Sequence, residues 1–234
     1  MPGVAAVFFP RAVVNAYVVN ADVLTLVDTG TPGGAASILR AIRALGREPS
    51  EVGRILLTHR HADHAGNAAE LARVTGAPVH VAPLEAPFVR DGVEQPRPSA
   101  ATPIGRALVP YVKVALPWAL PPMPVEESLG DGETVGPFRV IATPGHTAGH
   151  VSLLWEERGS LFAGDAAANL TGVGPHPAAD DPAQARDSFR RLAERDFQNA
   201  SAALERTIRP WPKTAFWKSR SARRRKLSLS LIHI

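Results

Sequence analysis

Apolar and polar positions along the first eighty residues switch between a short period and a helical one. VVNAYVV (13–19) and VLTLVD (23–28) are dense in Val and Leu and flank Asn20-Ala21-Asp22, which reads as a hairpin turn. Ile38, Ile42 and Leu45 then recur at helical spacing. The pattern predicts a helix opened by Thr31 as N-cap, with Pro32 at its first position and Gly46 at its C-terminal stop. RILLT (54–58) predicts a short buried strand, the stretch from Asn67 to Thr75 a helix ending at Gly76, and PVHVA (78–82) the next strand. Strands alternating with helices predict an α/β fold around a mostly central sheet.

Residues 83–128 break this rhythm with a high density of proline and room for one or two short helices. A segment of that length is either a connection packed over the core or a lid over a substrate pocket. Strands resume with FRVIATP (138–144), HVSLLWEE (150–157) and GSLFAGD (159–165), the last two joined by a turn at Glu157-Arg158-Gly159-Ser160. Asp181 is the expected cap of a further helix, with Pro182 next and Gln184 completing a capping-box pattern. Ala185, Phe189, Leu192 and Ala193 carry its stripe, which is expected to run to about Ala200. Residues 201–234 show neither period and are expected to be disordered.

Composition narrows the class. The 234 residues suit one large domain or two small ones, and 45% apolar with 21% charged content is that of a globular protein. No apolar run reaches the roughly 18 residues of a membrane span. The N-terminus lacks a basic region and places Pro10 and Arg11 inside its apolar stretch, so it reads as strand rather than signal peptide, and a cytoplasmic location is expected. The absence of cysteine excludes disulfides, thiolate nucleophiles and Cys-held zinc, leaving His and carboxylate as the donors for any metal. The net charge of +4 is uneven: residues 1–200 carry 17 Lys and Arg against 21 Asp and Glu, and residues 201–234 carry 9 against 1. The body is therefore not expected to bind nucleic acid, and the basic excess belongs to the tail.

The candidate chemistry sits at strand ends. In THRHADH (58–64), His59 and His61 lie two apart at the end of a strand, so both imidazoles can meet one metal ion. Asp63 and His64 fall where the chain turns into the next helix and can serve a neighbouring ion. TPGHTAGH places His146 in a Pro-Gly turn after a strand, and AGD places Asp165 after the next, where one carboxylate can bridge two cations. Asp28, in VDTG, is a candidate for orienting one of the ligands.

Together these elements resemble the metallo-beta-lactamase-fold superfamily, and the TPGHTAGH form is similar to its glyoxalase II-like and lactonase-like branches. The resemblance implies an αββα sandwich over residues 1–200, with two divalent metal ions, zinc first and iron or manganese next, at one edge. It assigns His59, His61 and His146 to one ion and Asp63 and His64 to the other, with Asp165 bridging. It also implies hydrolysis of a small-molecule ester, thioester or lactone by a metal-bridged hydroxide, with Asp63 orienting the nucleophile and handling a proton.

The resemblance departs at the C-terminus. The family pattern has one more histidine, in a Gly-His-Gly-like turn after a late strand that should begin near Ala200. Here SAALERTIRPWPK follows instead, and the only later histidine is His233. His176 precedes the helix and reads as at most a pocket residue. The expectation is a native C-terminus replaced by an out-of-frame continuation, the final LSLIHI looking like translated adapter sequence. The sandwich would then lack an edge strand and its second metal site would be weakened. Two other readings stand beside the hydrolase: an iron-dependent, persulfide dioxygenase-like oxidoreductase on the same scaffold, and a non-catalytic chain whose basic tail binds acidic surfaces. Against the latter, the block Arg223-Arg224-Arg225-Lys226 has no aromatic platform for base stacking.

Overall fold

The computed structural model describes residues 3–10, 12–96, 99–100, 103, 105–107, 110, 117–169, 173–201 and 209–210. Its first sheet runs β1 (Val4–Phe9), β2 (Val14–Asn20), β3 (Leu24–Val27), β4 (Val52–Leu56), β5 (Val79–Val81) and β6 (Glu126–Glu127), side by side in that order. The first three strands are antiparallel, whereas β3 to β6 are parallel. The second sheet is built in sequence from β7 (Thr134–Val135), β8 (Phe138–Ala142), β9 (Val151–Trp155), β10 (Ser160–Phe162), β11 (Asn199–Ser201) and β12 (Arg209–Pro210). Its strands pair antiparallel except at β10 and β11.

Period-two alternation splits each central strand between two apolar layers. In β2, Val14, Ala16 and Val18 face one way and Tyr17 and Val19 the other, so the strand is buried on both sides. The first set packs on helices α1 (Ala35–Ala44), α3 (Ala68–Thr75) and α4 (Ala86–Arg90) through Ile38, Ile42, Leu71 and Val89. The second meets Phe138, Val140, Leu153, Trp155 and Phe162 of the other sheet. A third layer joins Ile141, Leu154 and Leu161 to Phe189 and Leu192 of helix α5 (Pro182–Ala193). Helix, sheet, sheet, helix is the αββα sandwich expected from the sequence. Among the described residues, no helix is long and apolar enough to cross a membrane.

Three expectations are corrected. The first helix begins at Ala35 rather than at Pro32, because its start is satisfied from outside: the Asn67 side chain accepts from the Gly34 N–H at 2.9 Å and donates to the carbonyls of Thr29 and Thr31. Asp181 caps α5 by accepting from Ala183 and Gln184, but no reciprocal bond from Gln184 forms, since the Asp181 N–H donates to the Gly145 carbonyl at 2.9 Å. The helical stripe ends at Ala193, short of the expected Ala200, and Asn199–Ser201 is a strand. β11 pairs parallel with β10 and buries Ala200, although an Asn-Ala-Ser segment carries little strand propensity of its own.

Within residues 83–128 the described parts pack against the core through Leu120 and Met123, and Ser99–Ala100 pairs with Ala178–Ala179. Residues 111–116 and several before them in that segment, where a lid would lie, and the tail after Ser201, apart from β12 and including His233, fall outside the described residues.

Candidate functional site

The parallel strands β3 and β4 end together, so the turns that follow them share one edge of the first sheet. Asp28 follows β3 with φ of 57°, a left-handed conformation that carboxamide and carboxylate side chains tolerate better than most. Its backbone N–H donates to Leu56, and its carboxylate accepts from the Thr58 N–H at 2.8 Å and from the Thr58 hydroxyl. The turn after β4 presents His59 and His61, and the short helix α2 (Ala62–Ala65) carries Asp63 and His64. From the second sheet, the loop between β8 and β9 supplies His146, and the turn Gly164–Ala166 after β10 supplies Asp165. The two sheets are tied here by the Val151 N–H, which donates to the Thr58 carbonyl at 3.0 Å.

The rings of His59, His61 and His146 form a nearly equilateral triangle, with centroids 4.7–4.8 Å apart and planes close to perpendicular. His61 Nδ1 and His146 Nε2 approach to 2.9 Å. On the far side of His59, His64 Nε2 lies 3.0 Å from Asp165 Oδ1, while Asp165 Oδ2 lies 3.1 Å from His146 Nε2. Three sets of donors in this cluster have ligand atoms within 4.8 Å of one another: His59, His61 and His146; His59, His64 and Asp165; and His146, Asp165 and His176. Each set could hold a metal ion. Asp63 is half-buried beside them and belongs to none of the three sets.

Hydrogen bonds behind the cluster fix which ring nitrogens carry protons. The Thr58 hydroxyl donates to Asp28, so it accepts from His59 Nδ1 at 3.1 Å and leaves His59 Nε2 as a lone pair. His64 Nδ1 is held by Asp28 Oδ2 at 2.8 Å, and His146 Nδ1 by the Ala178 carbonyl at 2.9 Å. Asp28 therefore orients His64 directly and His59 through Thr58.

Burial depresses the basicity of most of these rings. His59 and His146 are pushed well below the ordinary imidazole value, and His61 to about 3, by desolvation first; neighbouring histidines add to the first two, Arg60 to the third. His64 goes the other way, because Asp165 and Asp28 outweigh its burial. Burial would raise Asp165, but His64, His176 and His146 outweigh it and hold the carboxylate well below its usual range. Neutral His59, His61 and His146 beside an ionised Asp165 carboxylate are protonation states that suit a divalent cation, whereas His64 would have to give up a proton to bind one. The donor set fits such an ion on a second count. His59 Nε2 is buried without a hydrogen-bond partner while its Nδ1 is held by Thr58, a costly arrangement unless a cation takes the lone pair.

Sequence reasoning missed two supports. His150 stands four residues after His146 in the same quoted motif, and its buried Nε2 accepts the Asp165 N–H at 3.0 Å, with Thr143 on its Nδ1. Gly164 takes φ of 53° beside it, and a Cβ there would meet His150 Nε2 at 2.8 Å. Arg60, between the first two histidines, is buried against Glu85, also buried, at 2.9 Å and against Asp180 at 2.6 Å, and lies over the Phe88 ring. Glu85 also accepts from the backbone N–H of Arg60 at 3.0 Å and of Gly149 at 2.6 Å. It thereby clamps both histidine-bearing loops.

Comparison with known proteins places this site in context. A family model described as the metallo-beta-lactamase superfamily matches residues 10–202. The uncharacterized protein YobT of Bacillus subtilis (strain 168) is 34% identical over 162 residues, covering 68% of the chain and 64% of that relative. A hydroxyacylglutathione hydrolase of Halorhodospira halophila (strain DSM 244 / SL1) is 35% identical over 112 residues, covering 48% of the chain and 31% of the enzyme. The chain thus spans less than two thirds of the length of either relative. Among solved structures, TTHA1623 in a di-iron-bound form superposes with a TM-score of 0.66 at 25% identity, covering 91% of the chain and 97% of that structure.

Proposed function

Since the chain belongs to the metallo-beta-lactamase superfamily, we propose that it is a metal-dependent hydrolase acting on an ester, thioester or lactone-type small molecule. The observation that carries this reading is the convergence of four buried imidazoles, of His59, His61, His64 and His146, on one another and on the Asp165 carboxylate where the two sheets meet. His59 Nε2, His61 Nδ1 and His146 Nε2 would hold one divalent ion, Asp63 and His64 the other, with Asp165 between them. Such ions, when bound, supply Lewis acidity that polarises a carbonyl and lowers the pKa of water. The chain's own residues do the rest. Asp28 fixes the tautomers of His64 and, through Thr58, of His59. Asp63 has its carboxyl raised, by burial first and by Asp165 next, against the opposing pull of His64. Asp63 would orient the nucleophile and handle a proton.

Zinc is the expected metal from the nitrogen-rich donor set. The di-iron form of the structural relative keeps iron as the second choice, and with it the oxidoreductase reading. The test is metal content by mass spectrometry on the purified chain, with turnover of ester, thioester and lactone panels and an oxygen-consumption assay alongside. Bound metal and hydrolysis of at least one panel member are expected. A chain that takes up no metal would sink the reading, and oxygen consumption without hydrolysis would transfer it to the oxidoreductase class.

The relay behind His59 makes a second prediction. Thr58→Val keeps the shape of the residue but removes the hydroxyl that joins Asp28 to His59, and metal affinity should fall about 10- to 100-fold. Competition against a chromophoric chelator reads this directly. Unchanged affinity would show that the relay does not orient the ring.

A further inference from the structure

We propose that His176 is a metal ligand, contributing its Nε2 on the His146 side of the Asp165 carboxylate. This inference rests on the metal-dependent reading given above and extends it to a residue that the sequence places at most in the pocket.

His176 lies between two short strands, Val173–Gly174 and Ala178–Ala179, the second of which pairs with Ser99–Ala100. The backbone on both sides of the ring is therefore held. His176 Nδ1 lies 2.8 Å from the Ala178 carbonyl, and the Ala178 N–H, at 3.2 Å from the same nitrogen, is the longer contact. The shorter contact makes Nδ1 the protonated nitrogen, which turns the Nε2 lone pair toward Asp165 Oδ2, 3.5 Å away. His146 is arranged in the same way. Its Nδ1 donates to the same Ala178 oxygen at 2.9 Å, and its Nε2 stands 3.1 Å from the same Asp165 oxygen.

Two imidazole lone pairs and a carboxylate oxygen thus face one another, with both ring protons committed to the Ala178 carbonyl behind them. Electron-rich atoms so placed repel unless a cation sits among them. His146, Asp165 and His176 have ligand atoms within 4.8 Å of one another, the spread that one ion spans. The His176 side chain keeps 14% of its surface accessible, against 3% for His146 and 4% for Asp165. The Asp165 carboxylate would then divide its oxygens, Oδ1 toward His64 and Oδ2 toward His146 and His176.

The test compares the parent chain with His176→Ala and His176→Asn, using zinc for affinity by chelator competition and cobalt(II) for the visible spectrum. The asparagine Nδ2 can replace His176 Nδ1 on the Ala178 carbonyl but offers nothing at the Nε2 position. Both variants should lose about 100-fold in affinity for one equivalent, and the cobalt bands should change in both. Parent affinity and spectrum retained in both variants would overturn the proposal. Loss in the alanine variant alone would overturn it as well, by reducing His176 to a loop anchor. A parent chain that binds no ion is a separate outcome, which overturns the metal-dependent reading itself and this inference with it.

Discussion

Asp165→Asn should lower kcat/KM on the best hydrolysable substrate about 1,000-fold and remove at least one metal ion, while leaving the fold intact. The expectation follows from where the carboxylate sits. It is the only acidic group in the described sets of clustered donors, and its two oxygens face different histidines, His64 at 3.0 Å and His146 at 3.1 Å. An amide of the same shape keeps one oxygen, loses the charge and turns an N–H toward one of those lone pairs. A bound ion contributes several kcal/mol to the charge that develops at a reacting carbonyl, and about 4 kcal/mol corresponds to the stated factor. Metal content and kcat/KM, measured on the same preparation, check this together. Full metal content with parent turnover would remove Asp165 from the site.

The largest stability effect should come from Glu85→Ala, at about 3–5 kcal/mol in urea or thermal unfolding. Glu85 has no accessible side-chain surface and Arg60 only 1%, so the guanidinium left behind could not recover its lost partner from water. Asp180 would remain as one acceptor at 2.6 Å, and the Phe88 face would still lie beneath the cation. Two backbone donors, of Arg60 and Gly149, would also lose their acceptor. Because those donors belong to the loops bearing His59 and His146, metal affinity should fall in the same variant. A loss below about 1 kcal/mol would mean that the clamp is dispensable. The double change Arg60→Met with Glu85→Leu should cost less than Glu85→Ala alone, since the charge it strands, Asp180, keeps 24% of its side chain accessible, against 1% for Arg60.

These two predictions differ in how far the sequence announces them. Asp165 was legible because it ends an apolar strand, and the histidines because three of them and a carboxylate fall within six positions. The sandwich was legible for a similar reason: strands such as β2, apolar on both faces, need a layer on each side. Arg60 gave no such signal, as its partners Glu85 and Asp180 stand 25 and 120 positions away. The start of α1 misled because Thr31-Pro32 is a sound local cap that loses to Asn67, a residue 33 positions beyond Gly34. The strand Asn199–Ser201 was hidden by its composition; it owes its conformation to the β10 backbone beside it. His176 was visible as a residue but not as a neighbour of Asp165, because only the pairing of Ala178–Ala179 brings its loop over the site.

The junction between α5 and the His146 loop bears on the order in which the molecule assembles. The Asp180 and Asp181 N–H groups donate to the His146 and Gly145 carbonyls at 3.1 and 2.9 Å, and a Cβ on Gly145 would strike the Ala185 nitrogen at 2.1 Å. The loop and the helix start are thus shaped against each other across some forty residues of intervening chain. A nascent polypeptide could display His59, His61 and His64 early, but the turn that aims His146 is completed only when the helix arrives. Loop-closure entropy makes such a distant contact late. If the cluster takes an ion, full affinity then requires α5 to be docked, and loosening that helix should weaken binding at a distance from every donor.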